Sequence, residues 1–285
     1  MLCSGGIGLS TLRQILTDIN LLAVCTDSKS SEIEKFCLQC GVPVFIGNPR
    51  LGTAREFLCE LEIDVILSVN YLYVVEKDIL TLPKLLSLNI HGSLLPKYRG
   101  RTPHIWAIIN NERETGVTVH EMVPECDAGR IAYQTSLNIP YDSTGQDILN
   151  AFAIIYPEAI RNVLSHLEKN VIELSPQDDT KATFFGKRSP GDGEINWEWQ
   201  RERIYNWVRA LACPYPGAFT YHHGAKIIID RVSLSDAGFD SITPNGTILA
   251  TDPRVVVKTP NGAIVLDRIR ENIVCKRGDR LSGAL

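Results

Sequence analysis

The 285-residue chain has no apolar run long enough to cross a membrane, and its opening "MLCSGGIG" lacks both the basic start and the extended apolar stretch of a secretion signal. Both absences predict a cytoplasmic protein that engages no membrane. A dominant charge is missing too: the formal net charge is -4, and without a basic excess no binding to nucleic acid is expected, since that binding rests on neutralising phosphates. The balance differs along the chain. Up to residue 200 there are 17 basic and 25 acidic residues, and after it 12 and 8, an excess that suits a small phosphorylated ligand.

The eight cysteines are scattered, unlike the dense spacing of a small disulfide scaffold, so reduced thiols are expected. Cys37 and Cys40 form one CxxC, "CLQC", but no second pair stands at zinc-finger distance, and no metal is expected. Two catalytic fingerprints are absent as well. The turn in "CSGGIGLS" does not match GxGxxG, which disfavours a nicotinamide-dependent oxidoreductase, and no GxSxG elbow offers a serine nucleophile.

What is present is alternation. "LLAVCTD", "VPVFIG", "DVILSVNY" and "LSLNIH" read as strands, and "SSEIEKFCLQCG" and "TAREFLCELEI" as helices between them, the first starting at serine and stopping at Gly41. The pattern predicts βαβ units and therefore an α/β, Rossmann-like, mostly parallel sheet with helices on both faces, which binds ligands beyond the carboxyl ends of its strands. Only Met1 to Cys3 precede the first glycine turn, short for a first strand, so a few residues are expected to be missing from the start. An amphipathic helix from about Thr144 to Asn170 closes this part.

Beyond it the pattern changes. The boundaries read from composition are a first domain at 1–182, a Pro- and Gly-rich linker at 183–204 and a small β-rich, barrel-like domain at 205–285. There, "RVVVKT" and "AIVLDRI" flank Pro260-Asn261-Gly262 as a hairpin. Exposed strand edges in such a domain often pair, which points to a homodimer.

The chemistry concentrates in "LNIHGSLLPKYRGR". Leu88 and Ile90 alternate with Asn89 and His91, so both polar side chains lie on one face at the end of a strand. An amide can donate to an oxygen that gains negative charge, and an imidazole beside it can carry a proton near neutral pH. That pair suits acyl-type transfer in which the nucleophile belongs to the substrate. Asp127, at a turn in "ECDAGRIAYQ", is a candidate partner that would raise the imidazolium pKa and fix the ring.

Asn89-x-His91-x-Ser93-Leu94-Leu95-Pro96, then Tyr98-Arg99-Gly100, "ETGVTVHEM" and "DAGRI", resemble the folate-dependent formyltransferases over most of the chain. "FFGKRSPGDGEINW" and "VRALACPYPGAFTY" look most like the branch that formylates nucleotide-linked amino sugars, of the kind acting on UDP-4-amino-4-deoxy-L-arabinose. The resemblance implies that Asn89, His91 and Asp127 are catalytic, with 10-formyltetrahydrofolate as formyl donor. It also implies folate contacts at Tyr73, Val74, Val75 and Arg101 and along Val123, Pro124, Glu125 and Cys126. Tyr98, Lys187 and Arg188 would meet a UDP- or dTDP-linked amino sugar.

Methionyl-tRNA formyltransferase is the nearest alternative, but the region where that branch carries a basic inserted loop, "TDSKSSEIEKFC", is short and holds only Lys29 and Lys35. Formylation of glycinamide ribonucleotide does not call for an appended β-rich domain. A binding module that has lost its activity fits poorly with an intact Asn89, His91 and Asp127.

Overall fold

In the computed structural model, which describes residues 1–283, the strand and helix alternation of the first half builds a seven-stranded sheet. In chain order the elements are β1 (Leu2–Cys3), α1 (Gly5–Ile15), β2 (Val24–Thr26), α2 (Ser31–Cys40), β3 (Val44–Ile46), α3 (Thr53–Leu58), β4 (Val65–Val69), α4 (Lys77–Leu80) and β5 (Leu86–His91). There follow β6 (Arg99–Gly100), α5 (Pro103–Ile109), β7 (Glu114–Glu121), β8 (Ile131–Asn138), α6 (Gly145–Glu168) and β9 (Phe184–Phe185). The sheet order is β3-β2-β1-β4-β5-β7-β8. The first five strands are parallel and β7 runs antiparallel to β5, while β6 and β9 pair separately in parallel. The mostly parallel α/β fold expected from the alternation is therefore present.

Local signals account for several boundaries. Gly41 ends α2 in the left-handed region at φ 68°, which glycine enters without a Cβ penalty. Helix α3 is shorter than its periodicity predicts. Leu61 and Ile63 pack against the same core as Ala54 and Leu58, and the chain leaves the helix to bury them. That core also takes in Leu2, Cys25, Ile66, Tyr71 and Ile79. All eight cysteines are free, and burial pushes the Cys3 thiol up to about 12 and Cys25 up to about 11, so both stay protonated. No helix among the described residues is long and apolar enough to cross a membrane.

The chain forms two compact units. The first comprises Met1–Pro103, Thr115–Leu137 and Leu149–Phe185; the second comprises His104–Glu114, Asn138–Ile148 and the chain from Gly186 onward. The stretch expected to be a linker is divided between them. β9 belongs to the first unit, whereas Ile195 and Trp197 are buried in the second, where the Ile195 N–H donates to the Phe219 carbonyl at 2.8 Å. The second unit then contributes α7 (Arg201–Leu211), β10 (Ala218–His222), β11 (Ala225–Ser235), β12 (Ile248–Ala250), β13 (Val255–Thr259) and β14 (Gly262–Ile269). Its five strands form an antiparallel sheet in the order β10-β11-β14-β13-β12, and β13 and β14 make the expected hairpin, with Thr259 opposite Gly262.

Candidate active site

Strand β5 delivers Asn89 and His91 to the same face at its carboxyl end, as its alternation predicts, with Leu88 and Ile90 buried on the other face. The antiparallel ladder with β7 sets Asn89 opposite His120 and His91 opposite Thr118. Asn89 Nδ2 then lies 3.1 Å from His120 Nε2. The other ring nitrogen, Nδ1, is 2.8 Å from the Glu121 carbonyl, which can only accept, so Nδ1 carries a proton. In the neutral ring Nε2 is the acceptor, and it holds one amide hydrogen of Asn89. The second amide hydrogen is left for another acceptor.

His91 is buried, with Nε2 2.7 Å from the Tyr98 carbonyl. By the same reasoning Nε2 carries the proton, and Nδ1 is the basic atom of the neutral ring. Nδ1 faces Asp127 Oδ2 at 3.7 Å, too far for a hydrogen bond and close enough for strong attraction once the ring is charged. Tyr98, not Asp127, therefore fixes the ring. Burial lowers the His91 pKa; the Asp127 carboxylate raises it, as expected, but by less, and the ring is neutral at pH 7.

Asp127 has φ 53° and projects its carboxylate between two imidazoles, with Oδ1 3.6 Å from His120 Nε2. Burial pushes this carboxyl up, but His91, His120 and the Gly100 N–H outweigh burial and hold it well below the usual carboxylate range. The Gly100 N–H donates to Oδ2 at 2.8 Å. Gly100 makes this possible: its φ is 107°, and a Cβ there would lie 2.2 Å from the Phe185 carbonyl oxygen. Cys126, whose thiol burial and Asp127 push up to about 11, donates its S–H to the same carboxylate at 3.3 Å.

The cluster in "YRGR" also holds the Asp127 loop from outside. The buried Arg99 donates Nε and Nη2 to Gln177 Oε1 at 3.2 and 2.8 Å, and Nη2 to Asp179 at 2.6 Å. The Gln177 amide in turn donates to the carbonyls of Asp127 and Gly129 at 2.8 and 2.7 Å. Arg101 Nη2 donates to the Leu72 carbonyl at 2.8 Å, pinning the chain just before Tyr73.

Asn89, His91 and Asp127 thus come together, and the geometry adds His120, which sequence reasoning missed. The alternation of "GVTVHEM" puts Thr118 and His120 on one face, but nothing in it sets their register against β5. The residues expected to meet the folate differ in exposure. Tyr73 and Val75 pack against the hydrophobic core, with Tyr73 edge-on to Tyr71, whereas Val74 is exposed, as are Arg101, Pro124, Glu125 and Cys126; Val123 is half-buried. Of the residues expected to meet the sugar nucleotide, Tyr98 is buried and stacks on Phe185, with centroids 4.8 Å apart. Lys187 and Arg188 belong to the second unit. Lys187 is exposed there, and the Arg188 guanidinium lies over Trp106 and Trp207, 5.0 and 4.4 Å from the ring centroids.

Comparisons with known proteins place the chain among its relatives. The family model described as formyl transferase matches residues 51–164, and that described as formyl transferase, C-terminal domain, matches 187–274. The bifunctional polymyxin resistance protein ArnA of Wigglesworthia glossinidia brevipalpis is 37% identical over 262 residues, 88% of this chain. The chain spans about two fifths of that relative's length, 39%. The solved structure of WlaRD, a sugar 3N-formyl transferase in the presence of dTDP and 5-N-formyl-THF, superposes with a TM-score of 0.72 at 18% identity, over 95% of this chain and 98% of that one. The N-formyltransferase from Helicobacter canadensis, in complex with folinic acid and dTDP-3-aminofucose, gives 0.72 at 20% identity, over 93% and 98%. Methionyl-tRNA formyltransferase from Clostridium thermocellum gives 0.59 at 20%, over 77% and 96%. At such identities these likenesses establish the fold.

Proposed function

The chain belongs to the formyl transferase family, and on that premise we propose that it moves a formyl group from 10-formyltetrahydrofolate to the amine of a UDP- or dTDP-linked amino sugar. The observation that carries the reading is the pairing of an amide held by His120 with a buried neutral imidazole facing an ionised carboxylate. Two of the similar structures hold a formylated folate, and one of these also holds a dTDP-amino sugar, which supports the donor and the substrate class.

The folate supplies the formyl carbon. The residues of the chain manage charge and protons around it. When the substrate amine attacks, the free amide hydrogen of Asn89 donates to the carbonyl oxygen as it becomes negative. His91 Nδ1 takes the proton the amine must lose, and the imidazolium so formed sits beside Asp127. The carbon–nitrogen bond to the folate then breaks, and His91 returns the proton to the departing nitrogen, which leaves the ring neutral again. Water is not consumed, and one carbon–nitrogen bond replaces another.

The test is a panel of UDP- and dTDP-linked 3- and 4-amino sugars, with charged initiator tRNA alongside, followed by folate absorbance and by the mass of the product. Formylated sugar nucleotide is expected. Turnover with the tRNA alone would overturn the substrate class and keep the chemistry.

A further inference from the structure

The turn between β10 and β11 holds two adjacent histidines that the reaction does not use. His222 ends β10 opposite Ala225, and His223 and Gly224 both take positive φ, 47° and 79°, the pattern of a tight two-residue hairpin. Successive residues of a regular strand point to opposite faces. Here the turn brings both rings to one carboxylate: His222 Nε2 lies 3.0 Å and His223 Nε2 3.6 Å from Asp279 Oδ2, and the ring centroids are 4.2 Å apart. His222 is buried, whereas the His223 side chain is 73% exposed.

Asp279 is fixed independently of the histidines. The Lys276 N–H donates to Oδ2 at 2.8 Å, the Ile248 N–H donates to the Asp279 carbonyl at 2.8 Å, and the Gly278 N–H donates to the Ile248 carbonyl at 2.9 Å. Hydrogen bonding explains half of the arrangement. A neutral His222 can donate to Asp279, but 3.6 Å is too long for His223, which has no other partner among the described residues. An exposed imidazole is thus packed against a second imidazole and a carboxylate without a bond to hold it there.

We propose that His222, His223 and Asp279 bind a divalent late transition-metal ion, such as Zn²⁺, Co²⁺ or Ni²⁺. The three ligand atoms lie within 4.8 Å of one another. A tetrahedral ion with nitrogen and oxygen ligands at about 2.0–2.2 Å separates neighbouring ligand atoms by roughly 3.3–3.6 Å, and 3.0 and 3.6 Å bracket that spacing closely. Two imidazoles and one carboxylate favour these ions over Mg²⁺ or Ca²⁺, which take oxygen ligands. The ion joins the β10–β11 turn to the segment after β14, and so acts as a clasp within the second unit. This assignment goes beyond the sequence, in which no metal ligands were expected, and it does not depend on the proposed transfer reaction.

The experiment is a Co²⁺ titration of the full chain, reduced and freed of metal, followed in the visible and near ultraviolet, with Zn²⁺ competition and thermal melts. One Co²⁺ per chain is expected, with d–d bands, no thiolate charge-transfer band, and a raised melting temperature. His223→Ala, at an exposed turn position, should keep the metal-free melting temperature and weaken the affinity by about 100-fold or more. A thiolate band would put the ion on the cysteines and overturn the proposal. So would unchanged affinity in His223→Ala, or no binding by the natural chain.

Discussion

Two sets of buried polar groups in this molecule are bonded to different degrees. In the second unit, Trp197 Nε1 donates to Thr220 Oγ1 at 2.9 Å, that hydroxyl donates to the Ser282 carbonyl at 2.9 Å, and Trp207 Nε1 reaches the Gly193 carbonyl at 3.2 Å. Each of these three groups has its partner. At the end of β5, by contrast, Asp127 stands 3.7 and 3.6 Å from two imidazoles, and Asn89 has an amide hydrogen to spare. Fully bonded groups hold a fold together, whereas under-bonded ones keep capacity for a substrate. The difference separates what should alter rate from what should alter stability.

The comparison is broken most severely by His91→Ala, which should lower kcat by about 10²–10⁴-fold while folate still binds, as measured by fluorescence titration. Asn89→Ala follows, with a loss of about 10²–10³ in kcat, roughly 3–4 kcal/mol of transition-state stabilisation, and little change in the melting temperature. On the other side, Thr220→Val leaves the Trp197 N–H without its partner, while the Ser282 carbonyl keeps the Tyr221 N–H at 3.0 Å. The substitution should cost about 1–3 kcal/mol in denaturant unfolding with kcat unchanged. A variant of either region that moved the other quantity would collapse the distinction.

The finest test is pH. Burial holds the His91 pKa below the ordinary histidine value, so the acid limb of kcat/KM should fall off with an apparent pKa below about 6.5, because only the neutral ring accepts a proton. Asp127→Asn removes the charge that pulls this pKa upward. The limb should then move to still lower pH, and a shift to higher pH would show that His91 is not the titrating group.

Much of this was legible from residues alone where the signal is local. The alternation of "LSLNIH" placed Asn89 and His91 on one face, Gly41 marked a helix end, and Pro260-Asn261-Gly262 marked a hairpin. What depends on pairing distant segments was not legible. His120 faces Asn89 through a ladder register that periodicity leaves free. Gln177 reaches the Asp127 carbonyl across 50 residues of chain. The clustering of His222 and His223 on Asp279 spans a similar gap, 57 residues in the case of His222, and the alternation rule alone would have sent the two rings to opposite faces. The second unit also gathers His104–Glu114 and Asn138–Ile148 from inside the first stretch of chain, which no composition boundary at residue 182 or 204 announces.

The reach of Gln177 has a bearing on biosynthesis. Asn89, His91 and Asp127 all leave the ribosome well before the glutamine that clamps the Asp127 loop, and before Phe184 and Phe185, whose strand aligns Arg99 and Gly100. A nascent chain halted at residue 170 holds Asn89, His91 and Asp127 but lacks both the Gln177 amide and the β9 strand.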